Sequence, residues 1–159
     1  MIPGGHVEAG ESAAEAALRE VAEEAGLDVR LVAPPLAPLP GGYRPERVPH
    51  PWWIVEYQVP PDNQLAEDHV HVDHLYVAVA DHPSPVTEPD HPFGWYTAAD
   101  LAGLAMFDDA RILAGTLLAG LDGGPLAGRT AAAVDRPAGA DPGLAATLMR
   151  QLEMAARPR

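Results

Sequence analysis

The sequence has no cysteine and no lysine. Without cysteine, disulfide scaffolds, Cys-ligated zinc sites and thiol catalysis are excluded. The 10 basic residues are all arginines, and the sequence has 23 acidic residues, which gives a formal net charge of −13. A surface this acidic repels duplex nucleic acid and anionic lipid unless metal ions intervene. The charge balance therefore argues against a DNA-binding module.

Uninterrupted hydrophobic runs are also missing. The chain does not open with a charged segment followed by an apolar run, so no signal peptide is predicted. The most apolar stretch, residues 101–121, contains Asp108, Asp109 and Arg111, which excludes a membrane span. The 159 residues, 47% of them hydrophobic, suit one domain with a single core. We therefore expect a cytoplasmic protein without a membrane partner.

The pattern of elements predicts an α/β domain over residues 1–121, followed at 122–159 by a Gly/Ala/Pro-rich linker and a short helix. Ser12 and Glu15 form a capping-box pattern that opens a helix running to about Ala25, and Gly26 is a helix stop. Seven prolines between residues 34 and 51 predict a long loop. Strands are predicted at 27–33, 52–59, 69–80 and 93–97, and further helices at 108–121 and 143–156.

The first predicted helix separates apolar from acidic residues. At 100° per residue one side carries Ala14, Leu18, Val21, Ala22 and Ala25, and the other carries Glu20, Glu23 and Glu24. Carboxylates spaced three and four residues apart repel one another, and Arg19, paired with Glu15, is the local compensation that we expect. A solvated face explains such a pattern, but a hard divalent cation would convert the repulsion into coordination.

From Gly5 the chain reads GHVEAGESAAEAALREVAEEAGL. This segment, residues 5–27, resembles the Nudix box, G-x5-E-x7-R-E-U-x-E-E-x-G-U with U aliphatic. It matches at every specified position: Gly5, Glu11, Arg19, Glu20, Val21, Glu23, Glu24, Gly26 and Leu27. Trp95-Tyr96 followed by Asp100-Leu101 resembles the segment that opens the last core helix of that family. The resemblance implies a Nudix-type α/β/α sandwich with a mixed sheet.

The resemblance also implies hydrolysis of a nucleoside diphosphate linked to another moiety, with Mg²⁺ or Mn²⁺ as cofactor. It assigns the metal to Glu20, Glu23, Glu24 and the backbone carbonyl of Gly4. It gives Glu11 and Arg19 the task of orienting those carboxylates. A catalytically silent Nudix domain that senses a nucleotide is the alternative from another class. The intact box favours catalysis, because a binding module does not need all three helical carboxylates.

A further acidic group or another base often comes from a loop beyond the box in this family. Glu88 precedes Trp95 in such a loop and is our candidate, and Asp90 and Glu67 are its competitors. A solvated loop carboxylate is the simple alternative for each of them.

Residues 69–74 read HVHVDH, which taken alone is similar to the H-x-H-x-D-H zinc motif of metallo-β-lactamases. The motif continues straight into a predicted strand, and the chain is short for that fold, so a binuclear zinc hydrolase is a remote alternative. On a strand, His69, His71 and Asp73 share one face. They either line the substrate cleft or form hydrogen bonds as polar residues of an edge strand.

Tyr43, Arg44 and Arg47 lie in the proline-rich loop and are candidates for substrate binding. A forked guanidinium suits phosphate, although solvated loop arginines are common. The expected partner is a small-molecule nucleotide. A homodimer stays open as an alternative to a monomer.

The resemblance finally implies strands of the central sheet that precede the box. Since the box begins at Gly5, the expected fold is N-terminally incomplete. Either Met1 is an internal methionine of a longer reading frame, which is the interpretation that we favour, or another segment fills the gap. The predicted last helix, with Leu144, Leu148 and Leu152 on one stripe, would cover apolar surface but could not supply a strand's hydrogen bonds.

Overall fold

The computed structural model describes residues 2–45, 47–63 and 65–120 with their side chains, and the backbone of 121 and 146–155. These residues form two α-helices and four strands. In chain order they are α1 (Ala13–Ala25), β1 (Val29–Leu31), β2 (Trp53–Val59), β3 (His69–Ala80), α2 (Asp108–Leu121) and β4 (Ala146–Ala155). A short 3-10 helix, Asp100–Gly103, precedes α2. The linker predicted over residues 122–143 lies outside the described residues.

The sheet is built around β3. β2 pairs with its first half, from Val59 opposite His69 to Trp53 opposite Leu75. β1 pairs with its last three residues, and β4 pairs with residues 70–79. Since β4 overlaps the pairing of both β1 and β2, those two strands share one edge of β3 and β4 takes the other. All three pairings are antiparallel.

The two faces of β3 pack against different helices. Its even-numbered residues Tyr76, Ala78 and Ala80 form a core cluster with α1, while Val77 and Val79 pack with Leu117 of α2. This alternation follows from the two-residue period of a strand. The predicted α/β/α sandwich is confirmed. None of the described helices is long and apolar enough to cross a membrane.

Helix α1 begins and ends where the sequence predicts. The Ser12 hydroxyl accepts from the Glu15 N–H, the Ser12 N–H donates to Glu15 Oε2 at 2.8 Å, and Gly26 caps the C-terminus with φ 65°. The predicted apolar face is partly wrong, because Leu18 is 36% exposed and Ala22 is also exposed. The helix meets the sheet along a row of small residues spaced three and four apart, and Leu18 lies beside this row. The row consists of Ala14, Ala17, Val21 and Ala25.

Two other predicted elements are wrong. Residues 93–97 form no strand; Phe93 and Trp95 instead pack against the α1 cluster, and Trp95 Nε1 donates to the Pro83 carbonyl at 2.6 Å. The helix predicted at 143–156 is wrong over Ala146–Ala155, which form β4. Helix propensities differ by only about 0.7 kcal/mol among ordinary residues, so a ten-residue pairing with β3 outweighs the local preference.

Candidate active site

Arg19 lies at the centre of the carboxylates of α1. Its guanidinium donates to both oxygens of Glu11, at 2.7 and 3.2 Å, and its Nη1 donates to Glu20 at 2.8 Å and to Glu23 at 3.1 Å. The predicted partner Glu15 is wrong, because Glu15 is engaged with Ser12 in the capping box. One cation therefore holds three carboxylates in fixed positions.

This network shifts the pKa values of its members. The Glu11 carboxylate raises the pKa of Arg19, and the Arg19 guanidinium in turn lowers the pKa of Glu11, helped by the Glu8 N–H. Both groups are therefore charged at neutral pH. Arg19 also donates to the His6 carbonyl at 3.0 Å, which fixes the loop that leads into the helix.

The loop before α1 makes close contact with two of the helical carboxylates. The Gly4 N–H donates to Glu24 Oε2 at 3.1 Å. A Cβ at Gly5 would collide with the carboxylate of Glu20, so only glycine leaves that side chain its position. The first two glycines before the helix thus lie beside two predicted metal ligands.

Residues 86–91 cover the C-terminal end of α1. The N–H groups of Val86 and Thr87 donate to the Gly26 carbonyl, and those of Asp90 and His91 donate to the backbone carbonyls of Glu23 and Glu24. These bonds satisfy carbonyls that the helix leaves free at its end. They also bring the loop of the candidate base to the last turn of the carboxylate helix.

The structure separates the three candidate bases. Glu88 and Asp90 are exposed in the loop that covers α1. Glu67 lies elsewhere, and its carbonyl oxygen is 3.0 Å from His69 Nδ1. The position of the loop favours Glu88 and Asp90 over Glu67, and the role itself stays a prediction.

The structure does not bring the predicted phosphate-binding residues into contact with the box. Tyr43, Arg44 and Arg47 are exposed in the loop between β1 and β2, and Arg47 donates to the Ala37 carbonyl of the same loop. Among the described residues none of the three is hydrogen-bonded to a carboxylate of α1.

The strand histidines form a separate cluster. By alternation His69, His71 and Asp73 lie on the same face as Leu75 and Val77, which is the face opposite α1. All three are buried, and β3 is paired with β2 and with β4, so they do not lie on an edge strand. Burial and the neighbouring His69 lower the pKa of His71, which keeps this imidazole neutral at pH 7.

Sequence reasoning missed two members of this cluster, Asp62 and His6. Asp62 Oδ2 is 3.5 Å from His69 Nε2, and the His6 ring meets the His71 ring edge-on at a centroid distance of 6.1 Å. Asp62 lies in the loop just before β3, and His6 lies in the loop before α1. No spacing rule could have joined them to His69.

A cavity of about 290 Å³ opens beside the C-terminal end of α1. It is lined by Ala25 and Leu27 of the box, by the aromatic side chains of Phe93, Trp95 and Tyr96, and by Leu117 of α2 among others. Pro3, next to Gly4, also lines it. An apolar, aromatic cavity next to a set of carboxylates suits a ligand with a flat apolar part and a charged part.

A model of the NUDIX domain family matches residues 1–115. The chain belongs to the Nudix family. No curated protein and no solved structure matches the chain. Membership supports a hydrolase of pyrophosphate bonds in general, and Nudix enzymes generally need a divalent metal such as Mg²⁺.

The residues of this Nudix domain fit a hard divalent cation. The donors on α1 are all carboxylate oxygens, the ligand type that Mg²⁺ and Mn²⁺ prefer. Their chemistry fits the cation, but no three of these described carboxylates bring ligand atoms within 4.8 Å of one another. Gly5 keeps the space beside Glu20 free of side-chain atoms, and Gly4 contacts Glu24 through its backbone. The exposed His91 ring lies 3.9 Å from Glu24 Oε1, but the side chains of α1 themselves offer only oxygen, which distinguishes them from the histidine cluster.

Proposed function

We propose that this Nudix domain hydrolyses a nucleoside diphosphate linked to another moiety, in a reaction that needs Mg²⁺ or Mn²⁺. The observation that carries the proposal is the Arg19 network, which holds Glu11, Glu20 and Glu23 together while Gly4 and Gly5 lie against Glu24 and Glu20. A domain that only sensed nucleotides would not need this arrangement of charged groups.

Each residue has one task in the proposed reaction. Glu20, Glu23, Glu24 and the Gly4 carbonyl hold the cation, which when bound neutralises the diphosphate and lowers the pKa of an attacking water. Arg19 and Glu11 keep these carboxylates in position. Because the net charge is −13, a polyanionic substrate would be repelled without the cation.

The remaining assignments concern the substrate. Glu88 is the proposed general base, since its loop is hydrogen-bonded to the end of α1. The aromatic cavity at Phe93, Trp95 and Tyr96 suits the base or the second moiety of the substrate. Tyr43, Arg44 and Arg47 stay predicted phosphate contacts of the bound state.

The test is a panel of nucleoside diphosphate derivatives incubated with chelator-treated protein, with and without Mg²⁺ or Mn²⁺. We expect Mg²⁺-dependent cleavage into two phosphate-bearing products, without added zinc. Glu23→Gln and Glu24→Gln should each lower kcat more than ten-fold, which is about 1.4 kcal/mol of barrier, and leave the melting temperature nearly unchanged.

Glu8→Gln is the matched control, because Glu8 is an exposed carboxylate at an unspecified position of the box. It should keep wild-type activity. Nucleotide binding without any product would favour the silent sensor. Variants of Glu23 or Glu24 with more than a tenth of the wild-type kcat would contradict the ligand assignment.

A further inference from the structure

The histidine cluster has the composition and geometry of a metal site. His69 and His71 are 1% and 8% exposed, and their Nε2 atoms lie 3.0 Å apart. Asp62 Oδ2 is 3.5 Å from His69 Nε2, and one ligand atom from each of the three residues lies within 4.8 Å of the others. Two imidazoles and a carboxylate form a ligand set that is typical of zinc.

The surrounding backbone orients these ligand atoms. The Glu67 carbonyl lies 3.0 Å from His69 Nδ1, which places the proton there and turns the Nε2 lone pair towards the cluster. The Leu65 N–H donates to Asp62 Oδ1 at 3.0 Å, and the other oxygen of this carboxylate faces His69. A hydrogen-bonded second contact of this kind commonly accompanies a metal ligand.

A third histidine adjoins the cluster. His6 Nε2 is buried and has no hydrogen-bond partner, and its ring stands edge-on to His71. A buried polar nitrogen without a partner costs free energy. This cost would be removed if His6 were the fourth ligand of a metal ion, or if a bound water formed a hydrogen bond with it. His6 comes from the loop before α1, so three segments of the chain meet here.

Two of the ligand-atom distances in the cluster are close to those of a tetrahedral metal site. Tetrahedral ligands about 2.0–2.1 Å from zinc are separated by about 3.3 Å, and the observed 3.0 and 3.5 Å lie on either side of this value. A direct N–H···N bond explains the first distance alone. The carboxylate oxygen 3.5 Å from the same nitrogen adds an anionic donor, which a metal site uses and a contact of two rings does not need.

We propose that His69, His71 and Asp62 bind a Zn²⁺ ion, with His6 adjacent to it, at a site separate from the Nudix carboxylates. The set differs from the H-x-H-x-D-H pattern, because Asp62 of the β2–β3 loop takes the place that the motif would give to Asp73. The bound ion would connect this loop to β3 on the face opposite α1. Imidazole ligands select zinc over Mg²⁺, so the two sites discriminate between the two ions.

The test uses the untagged protein of residues 1–159, stripped with a chelator and then held in excess Mg²⁺, so that the carboxylates of α1 are occupied. Zn²⁺ is titrated against a chromophoric chelator, and the melting temperature is followed in parallel. We expect one zinc per chain and a zinc-dependent rise in melting temperature. Asp62→Asn and His71→Gln should each weaken zinc binding at least ten-fold.

Two controls distinguish this site from exposed histidines and from the carboxylates of α1. His82→Gln removes an exposed histidine outside the cluster and should bind zinc like the wild type. Glu23→Gln should also bind zinc normally, even though it is expected to lose hydrolysis, so the two proposals fail independently. Asp62→Asn is in an exposed loop and serves if His71→Gln does not fold. Absence of saturable binding in Mg²⁺, or equal binding by wild type and Asp62→Asn, would overturn the proposal.

Discussion

The first glycine of the box is explained by the side chain that lies against it. Gly5 is followed by His6, whose carbonyl accepts from Arg19, and a Cβ at Gly5 would overlap the Glu20 carboxylate. The loop can therefore approach the helix only without a side chain at this point. The glycine at this point of the box is thus explained by the position of the Glu20 carboxylate, a proposed metal ligand, and not by a turn.

Gly5→Ala tests this role of the glycine. Because the added Cβ meets the end of a flexible side chain, Glu20 can move, so the free energy of unfolding should change by less than about 1 kcal/mol. The displaced carboxylate should lower kcat at least ten-fold under saturating Mg²⁺. Gly41→Ala is the matched control, since nothing lies within 4 Å of its Cβ. Full activity of Gly5→Ala would contradict the proposed role of Glu20.

Single residues differ in how far the sequence could predict them. The carboxylates of α1 are set by helical spacing, so their common face could be predicted from residues 12–25 alone. The partners of Arg19 could not be predicted in this way, because Glu11 lies before the helix. Only the folded loop brings the Glu11 carboxylate to Arg19 in place of Glu15. Asp62 and His6 belong to the histidine cluster through loop conformations that no periodicity describes.

At the level of elements, α1 depends on its two ends. The capping box satisfies the first free N–H groups, while Gly26 and residues 86–91 satisfy the last carbonyls. The same caps hold the metal-ligand candidates at fixed places along the helix. We therefore expect the loss of either cap to lower the free energy of unfolding.

Ser12→Ala removes the N-terminal cap and should lower stability by about 1 kcal/mol. The Ser12 N–H and hydroxyl lower the pKa of Glu15 below its ordinary value of 4.5. Because the folded pKa is lowered, this stabilisation is present above 4.5 and is lost as pH falls through the folded value. Urea unfolding should show the largest difference between wild type and Ser12→Ala near neutral pH. A difference that does not shrink on acidification would exclude the charged capping box.

Gly26→Ala tests the C-terminal end. Gly26 has φ 65°, and a Cβ there would overlap the Thr87 carbonyl. Gly42 has φ 80° with no atom within 4 Å of its Cβ, so Gly42→Ala measures backbone strain alone, about 1–2 kcal/mol. Gly26→Ala should cost clearly more in urea unfolding. Equal losses would mean that the loop at residues 86–91 does not pack against the helix end as described.

Elements with strong local signals were predicted well. The predicted bounds of β3 and α2 agree with the structure. The apolar, β-branched run of β3 fits the period of a strand, and the leucines of α2 fit the period of a helix. β4 was predicted as a helix, since its alanines, leucines and methionines favour one locally. Its strand conformation depends on the edge of β3, and that partner lies far away in sequence.

At the scale of the whole molecule, the family match and the sheet cover different parts of the chain. The match to the NUDIX model ends at residue 115, but β4 at Ala146–Ala155 pairs with residues 70–79 along one edge of β3. β3 in turn joins the two core clusters, which hold α1 and α2 on opposite faces. The carboxylates of α1 and the histidine cluster thus depend on the same central strand.

This dependence makes the predicted boundary at residue 121 testable. Removing residues 122–159 would leave residues 70–79 of β3 without a partner on one edge, and each lost backbone bond is worth about 0.5–1.5 kcal/mol net. The total is comparable with the stability of a typical domain, about 5–15 kcal/mol, so residues 1–121 should lose their cooperative melt. In the chain of residues 1–159, the same pairing is probed by Gln151→Pro and Leu152→Pro. Successive N–H groups of a strand point to opposite edges, so one of these two prolines removes an N–H group that faces β3. Leu152→Val keeps the N–H and is the control. If residues 1–121 melt cooperatively at the wild-type temperature, the predicted domain boundary stands and β4 does not stabilise the sheet.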